Sequence, residues 1–117
     1  MKAEQVAGRD ESEDDLYEMA NLYPRDTGLP MTIWVSPKGR ARHDVRVKIC
    51  TTPGDRMDIS NTAVVGVRPQ PHVIEGKLPR RDFGLVAQWI NLNADAVVAY
   101  WEGTLSTVEF AGKIQKI

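Results

Sequence analysis

The first half of the chain contains two runs in which apolar and polar residues alternate with a period of two, the pattern of a half-buried strand. The runs cover residues 31–36 and 43–50, and Pro37 and Gly39 between them suit a tight turn. The side chains predicted to face inward are Met31, Ile33, Val35, Val45, Val47 and Ile49. The two runs are therefore predicted to pair as an antiparallel hairpin.

Two further strand segments follow before the pattern changes. Residues 62–67 are apolar enough for a strand in the middle of a sheet, and residues 72–74 follow two prolines, which favour an edge position. Upstream of the hairpin, the apolar residues between Leu16 and Leu22 fit one short helical turn, and residues 23–30 are predicted to form a loop.

The period becomes helical after Pro79, a residue suited to the first position of a helix. Apolar residues at helical spacing over residues 83–92 predict one helix, and Asn93 has the side chain of an N-cap for a second helix over residues 94–102. Since Trp89 and Trp101 lie on these apolar stripes, both are predicted to belong to the core.

Ser106 and Glu109 have the spacing of a capping box, which predicts a third short helix at the end of the chain. Strands followed by helices indicate an α+β fold, with a small antiparallel sheet of three to four strands followed by two to three helices packed on one face. Residues 29–117 are predicted to form this single domain, and residues 1–28 an acidic, mostly disordered arm and loop, with the disorder in residues 1 to about 14.

The composition excludes several classes of protein. No apolar run approaches the roughly 18 residues that span a bilayer, and the first 20 residues lack the features of a secretory signal or a transit peptide. The single cysteine, Cys50, cannot form an internal disulfide, which fits a reducing compartment. We therefore expect a cytoplasmic protein without a membrane partner.

Charge is distributed unevenly along the chain. Residues 1–20 carry seven acids and two bases, a net charge of −5, whereas residues 21–117 carry nine acids and thirteen bases, a net charge of +4. The acidic arm either keeps the protein soluble or shields a basic face of the body.

The residue types that carry catalysis or bind cofactors do not form a familiar pattern. A zinc site needs three or four ligands, and His43 and His72 are the only histidines. Nothing near Cys50 marks it as a nucleophile, and the scattered glycines form no phosphate-binding loop. No catalytic, cofactor-binding or metal-binding residue is predicted, and an enzyme is disfavoured.

A set of basic residues is the candidate contact surface for a partner. Its members are Lys38, Arg40, Arg42, Arg46, Lys48, Arg80 and Arg81. Arg46 and Lys48 project from one face of their strand, and with Trp34 predicted to be exposed nearby, the hairpin residues suit phosphate contacts and base stacking. The alternative is an ordinary charged sheet face that protects an edge.

The segment from Val73 to Trp101 resembles a known family. Its motifs are Ile74-Glu75-Gly76-Lys77-Leu78-Pro79, Gly84-Leu85-Val86, Trp89 and Trp101. They resemble the C-terminal half of the bacterial domain-of-unknown-function family numbered 4160. That resemblance implies a gene pair of the toxin–antitoxin kind and hence a protein partner.

The sequence favours a small non-enzymatic interaction module with a protein partner. A nucleic-acid-binding protein that uses the basic hairpin face is the first alternative, and a small hydrolase or nuclease with an unrecognised site is the second.

Overall fold

A computed structural model describes residues 19–56, 58 and 60–117 as a sheet with helices packed on it. The strands are β1 (Ala20–Leu22), β2 (Met31–Val35), β3 (Arg46–Pro53), β4 (Thr62–Gly66) and β5 (His72–Glu75). The helices are α1 (Pro24–Thr27), α2 (Arg80–Trp101) and α3 (Thr107–Lys113). Within these ranges, no helix combines the length and the apolar character needed to cross a membrane.

The sheet is antiparallel throughout, and each strand pairs with the next one along the chain. The α+β prediction is confirmed, but three to four strands is too few, because the described residues form five. Ala20–Leu22, predicted as part of a helical turn, pairs instead with β2, where Ala20 lies opposite Val35 and Leu22 opposite Ile33. The edge of β2 offers backbone hydrogen bonds that outweigh the weak local preference for a helical turn.

The N-terminal boundary of the folded unit also differs from the prediction. Residues 20–28, assigned to the arm, contribute β1 and α1, so the fold extends upstream of residue 29. The prediction of disorder concerns residues 1 to about 14, which lie outside the described residues.

The core lies between one face of the sheet and helices α2 and α3. The predicted inward pattern of the hairpin is confirmed, because all six of its apolar residues are at most 2% exposed. These residues are Met31, Ile33, Val35, Val45, Val47 and Ile49. From the helix side, Trp89 and Phe110 are fully buried in the same cluster.

Helix α2 runs without interruption for 22 residues, a length of about 33 Å. The prediction of two helices separated at Asn93 is wrong. Asn93 lies inside α2 and is buried, where its Nδ2 donates to the Trp89 carbonyl (3.0 Å) and the Gln115 carbonyl (3.0 Å). Its Oδ1 accepts from the Gln115 N–H (2.6 Å). Because the side-chain amide of Asn93 hydrogen-bonds to a distant backbone segment, it does not cap a helix. The preference of asparagine for N-cap positions therefore predicted a helix start that does not exist here.

The ends of the helices follow local rules. Pro79 is the N-cap of α2 rather than its first residue, and Gly103, at φ 83°, lies just past the end of the helix. The predicted capping box of α3 is confirmed, because Ser106 Oγ accepts from Glu109 N (3.1 Å) and Glu109 Oε1 accepts from Ser106 N (2.9 Å).

Replacing Asn93 tests whether its side chain anchors the C-terminal segment to α2. Asn93→Ala leaves two backbone groups of Gln115 without their partners, so the free energy of unfolding should fall by about 2–3 kcal/mol. Asn91→Ala, an exposed change on the same helix, should cost below about 0.5 kcal/mol. Urea unfolding measures both, and equal losses would contradict an anchoring role.

Replacing Trp89 tests whether this residue joins the helix to the sheet. Trp89→Ala should lower the free energy of unfolding by about 3–5 kcal/mol, since it empties a large site in a fully buried cluster. Leu92→Ala serves as the control, because Leu92 is 45% exposed on the same helix and should cost below about 1 kcal/mol. A loss below about 1 kcal/mol for Trp89→Ala would show that the residue does not have this role.

Candidate functional site

A groove lies at the end of the sheet where β2 ends, β3 begins and α2 reaches its last residue. It encloses about 240 Å³. We call it the basic groove, and it is lined by Met19, Trp34, Ser36, Pro37, Lys38, Ala41, His43, Arg46, Lys48 and Trp101. Basic and aromatic side chains thus line the same groove.

The loop between β2 and β3 forms one side of the basic groove and is fixed to the end of α2. The Lys38 N–H donates to the Trp101 carbonyl (2.8 Å), one of the carbonyls left unpaired at a helix C-terminus. The loop then turns tightly, because the Ala41 N–H donates to the Lys38 carbonyl (2.8 Å) and Gly39 adopts φ 52°. This places the Lys38 backbone at the C-terminal end of α2.

A second attachment holds the other end of this loop. Arg68, just after β4, binds Asp44 with two nitrogens: Nη2 lies 2.8 Å from Oδ1 and Nε lies 2.9 Å from Oδ2. The pair is solvent-exposed and adds little stability by itself. Hydrogen bonds from Arg68, and then from the Val45 backbone, lower the pKa of Asp44 to about 2. Asp44 is therefore ionised at neutral pH and already engaged with Arg68.

The side chain of His43 lies beside this ion pair, on the rim of the basic groove. Its Nδ1–H donates to the Asp44 carbonyl (2.9 Å), and the ring centroids of His43 and Trp101 are 5.4 Å apart. The contacts of Asp44 thus hold His43 against the aromatic end of α2.

The floor of the basic groove comes from the sheet face that points away from the helices. Trp34 lies opposite Lys48 in the register of β2 and β3, so the two side chains are on one face. Arg46 lies two residues before Lys48 on that face, and its Nε is buried without a hydrogen-bond partner among the described residues. Trp34 was predicted to be exposed, and this is wrong, since it is only 4% exposed.

The predicted contact residues lie in three places. Lys38, Arg46 and Lys48 line the basic groove. Arg40 and Arg42 lie in the same β2–β3 loop but outside the groove wall. Arg80 and Arg81 begin α2, about 30 Å along the helix from Trp101, so the structure does not bring them to the groove.

Met19 and Trp101 are among the groove residues that sequence reasoning did not predict. Trp101 lies on an apolar helical stripe, and its burial at 4% exposure confirms the prediction of a core residue. That it also lines a groove follows from α2 ending beside the β2–β3 loop. A sequence pattern that predicts two helices gives no signal for this.

A second cavity, of about 390 Å³, lies between α2 and the C-terminal segment. Its polar lining includes Asn93, whose side chain is already used by Gln115, and one residue of each charge, Asp95 and Lys113. Since it concentrates no charge and offers no unpaired buried group, the basic groove is the better candidate site.

Groups typical of catalysis do not converge in the described ranges. Among residues 19–56, 58 and 60–117, no three or more His, Cys, Asp or Glu side chains are placed to hold a metal ion. Cys50 is buried, with its Sγ 3.8 Å from the Asp58 carbonyl, and His72 is exposed with its Nδ1–H donating to the Gln70 carbonyl (2.7 Å).

Comparison with known proteins gives no relative for this architecture: no family model, no curated protein and no solved structure matches the chain. The resemblance of residues 73–101 to the family numbered 4160 therefore stays a prediction. Any assignment of function rests on the geometry of the chain itself.

The Asp44–Arg68 contact predicts how Asp44 titrates. Arg68→Gln removes the main cause of the lowered pKa, so the pKa of Asp44 should rise from about 2 toward 3.8. Because the folded-state pKa is depressed, the stabilisation by this pair is present above pH 3.8 and is lost as the pH falls through about 2. Carboxyl NMR titration measures the change.

Asp58 serves as the internal control, since hydrogen bonds from Ser60 lower its pKa independently of Arg68. In the Arg68→Gln variant the pKa of Asp58 should stay depressed. An unchanged pKa of Asp44 would contradict the assignment of Arg68 as its main partner.

Proposed function

We propose that this chain is a non-enzymatic interaction module that binds an acidic segment of a protein partner in the basic groove. The observation that carries the proposal is the grouping of Lys38, Arg46 and Lys48 around Trp34 and Trp101 at one end of the sheet. Opposite charges steer such an encounter, and the partly exposed apolar residues of the lining supply apolar contact for a side chain of the partner.

The size of the groove supports recognition of side chains. At about 240 Å³ it is smaller than the pockets, roughly 300–1,000 Å³, that hold drug-sized ligands or cofactors. The engagement of Asp44 by Arg68 also supports the proposal, because this nearby acid does not neutralise Arg46 or Lys48.

Two observations favour a protein partner over nucleic acid. Base stacking needs an accessible aromatic face, and Trp34 is only 4% exposed. A protein that follows a phosphate backbone has a continuous basic track, and Arg80 and Arg81 lie about 30 Å from the end of α2 that lines the groove.

The resemblance to family 4160 adds the expectation that the partner is encoded by a neighbouring gene. The cytoplasm is the compartment we propose.

Charge reversal in the groove tests the proposal. The probe is a fluorescent pool of random peptides rich in Asp and Glu that also contain Leu and Tyr, and its binding is followed by anisotropy. Arg46→Glu combined with Lys48→Glu should weaken binding by about tenfold or more, because repulsion replaces attraction. Arg80→Glu combined with Arg81→Glu changes the net charge equally and should leave the affinity nearly unchanged.

Equal losses in the two variants would contradict a specific groove. Binding of random double-stranded DNA tests the nucleic-acid alternative. If it binds at physiological salt, and each replacement of Arg42, Arg46 or Lys48 flattens the slope of log affinity against log salt by roughly one unit, the nucleic-acid alternative is favoured.

A further inference from the structure

The basic groove has a candidate occupant in the chain itself. The nine residues from Asp10 to Glu18 include six acids and no base, together with Leu16 and Tyr17. This segment leads directly into Met19, the first described residue, and Met19 lines the groove. The most acidic stretch of the sequence therefore enters the described structure at the basic groove.

We propose that residues 10–18 dock in the basic groove and compete there with the acidic partner. This inference rests on the proposed function, since it assigns the same groove an intramolecular ligand with the chemistry expected of the partner. The acidic side chains would face Lys38, Arg46 and Lys48, and Leu16 or Tyr17 would supply the apolar contact.

Tethering makes such competition effective even where each contact is weak. A short linker gives a segment an effective concentration in the millimolar range. Since Glu18 is adjacent to Met19, the segment does not have to cross the body of the protein to reach the groove. A segment too polar to form a core of its own can be ordered by a surface that binds it. Its attraction to the groove weakens as salt is added.

The first experiment uses the full chain with the acids of the segment neutralised. The six changes are Asp10→Asn, Glu11→Gln, Glu13→Gln, Asp14→Asn, Asp15→Asn and Glu18→Gln. They should tighten binding of the acidic peptide pool by about tenfold or more, because the tethered competitor is lost. The control combines Glu75→Gln with Asp95→Asn, two exposed acids outside the groove, and should leave the affinity nearly unchanged.

The second experiment detects docking without any partner. A nitroxide on Ser12→Cys broadens NMR signals near the segment, and Cys50, being fully buried, does not compete for the label. The indole signals of Trp34 and Trp101 should be broadened more than in a chain that also carries Arg46→Glu and Lys48→Glu. That second chain measures the broadening caused by tethering alone. The amides of Arg80 and Arg81 serve as the distant reference.

Restoring opposite charges separates docking from a structural effect of the substitutions. Adding Asp14→Lys and Asp15→Lys to the groove-reversed chain should recover the broadening. Equal broadening in the starting and groove-reversed chains, or no recovery after the charge swap, would overturn the docking of residues 10–18.

The failures of the two proposals are distinguishable. If the peptide pool binds neither the starting chain nor the neutralised chain, the proposed function fails, and the NMR comparison still decides whether the segment docks. If the pool binds both chains equally and through the groove, the proposed function stands and the intramolecular competitor is ruled out.

Discussion

Burial of the apolar stripe of α2 against the sheet is the interaction on which the other features depend. The helix contributes Val86, Trp89, Ile90 and Val97 to the same core as the inward residues of the strands. Since removing apolar surface from water is the main favourable contribution to folding, this contact fixes the helix over the sheet. This contact also sets the position of the C-terminal end of α2, where Trp101 lines the basic groove.

The basic groove forms where the β2–β3 loop, the end of α2 and the sheet face opposite the core meet. The β2–β3 loop is tied to the end of α2 through the Lys38 N–H and to the end of β4 through the Asp44–Arg68 pair. Between these attachments, Lys38 and His43 are held against Trp101. Pairing of β2 with β3 places Lys48 beside Trp34 on the opposite face of the sheet from the core. Each attachment is modest, but together they leave the loop few alternative positions.

The uneven distribution of charge along the chain can be related to the position of the basic groove. A body with a net charge of +4 carries several of its bases at the groove, and the segment with the highest density of acids precedes Met19 at the groove wall. The proposed partner and the proposed internal competitor share one chemistry. If both proposals hold, ionic strength and partner concentration together would set how much of the groove is available.

The sequence by itself determined the class of the fold and much of its core. Period-two alternation identified β2 and β3 with their inward residues, and the capping box located the start of α3, because these signals depend on local backbone geometry. Likewise, the apolar stripe was sufficient to place Trp89 in the core. The sequence also separated acidic from basic segments, a property that requires no coordinates.

Only the tertiary structure decided the features that depend on distant partners. Asn93 continues the helix because Gln115, 22 residues away, satisfies its amide, and Ala20–Leu22 is a strand because β2 leaves an edge free beside it. Trp34 is buried although its strand pattern predicted exposure, and Arg80 and Arg81 are separated from the hairpin bases by the length of α2. Contacts between segments far apart in sequence set these outcomes, and residue periodicity carries no information about them.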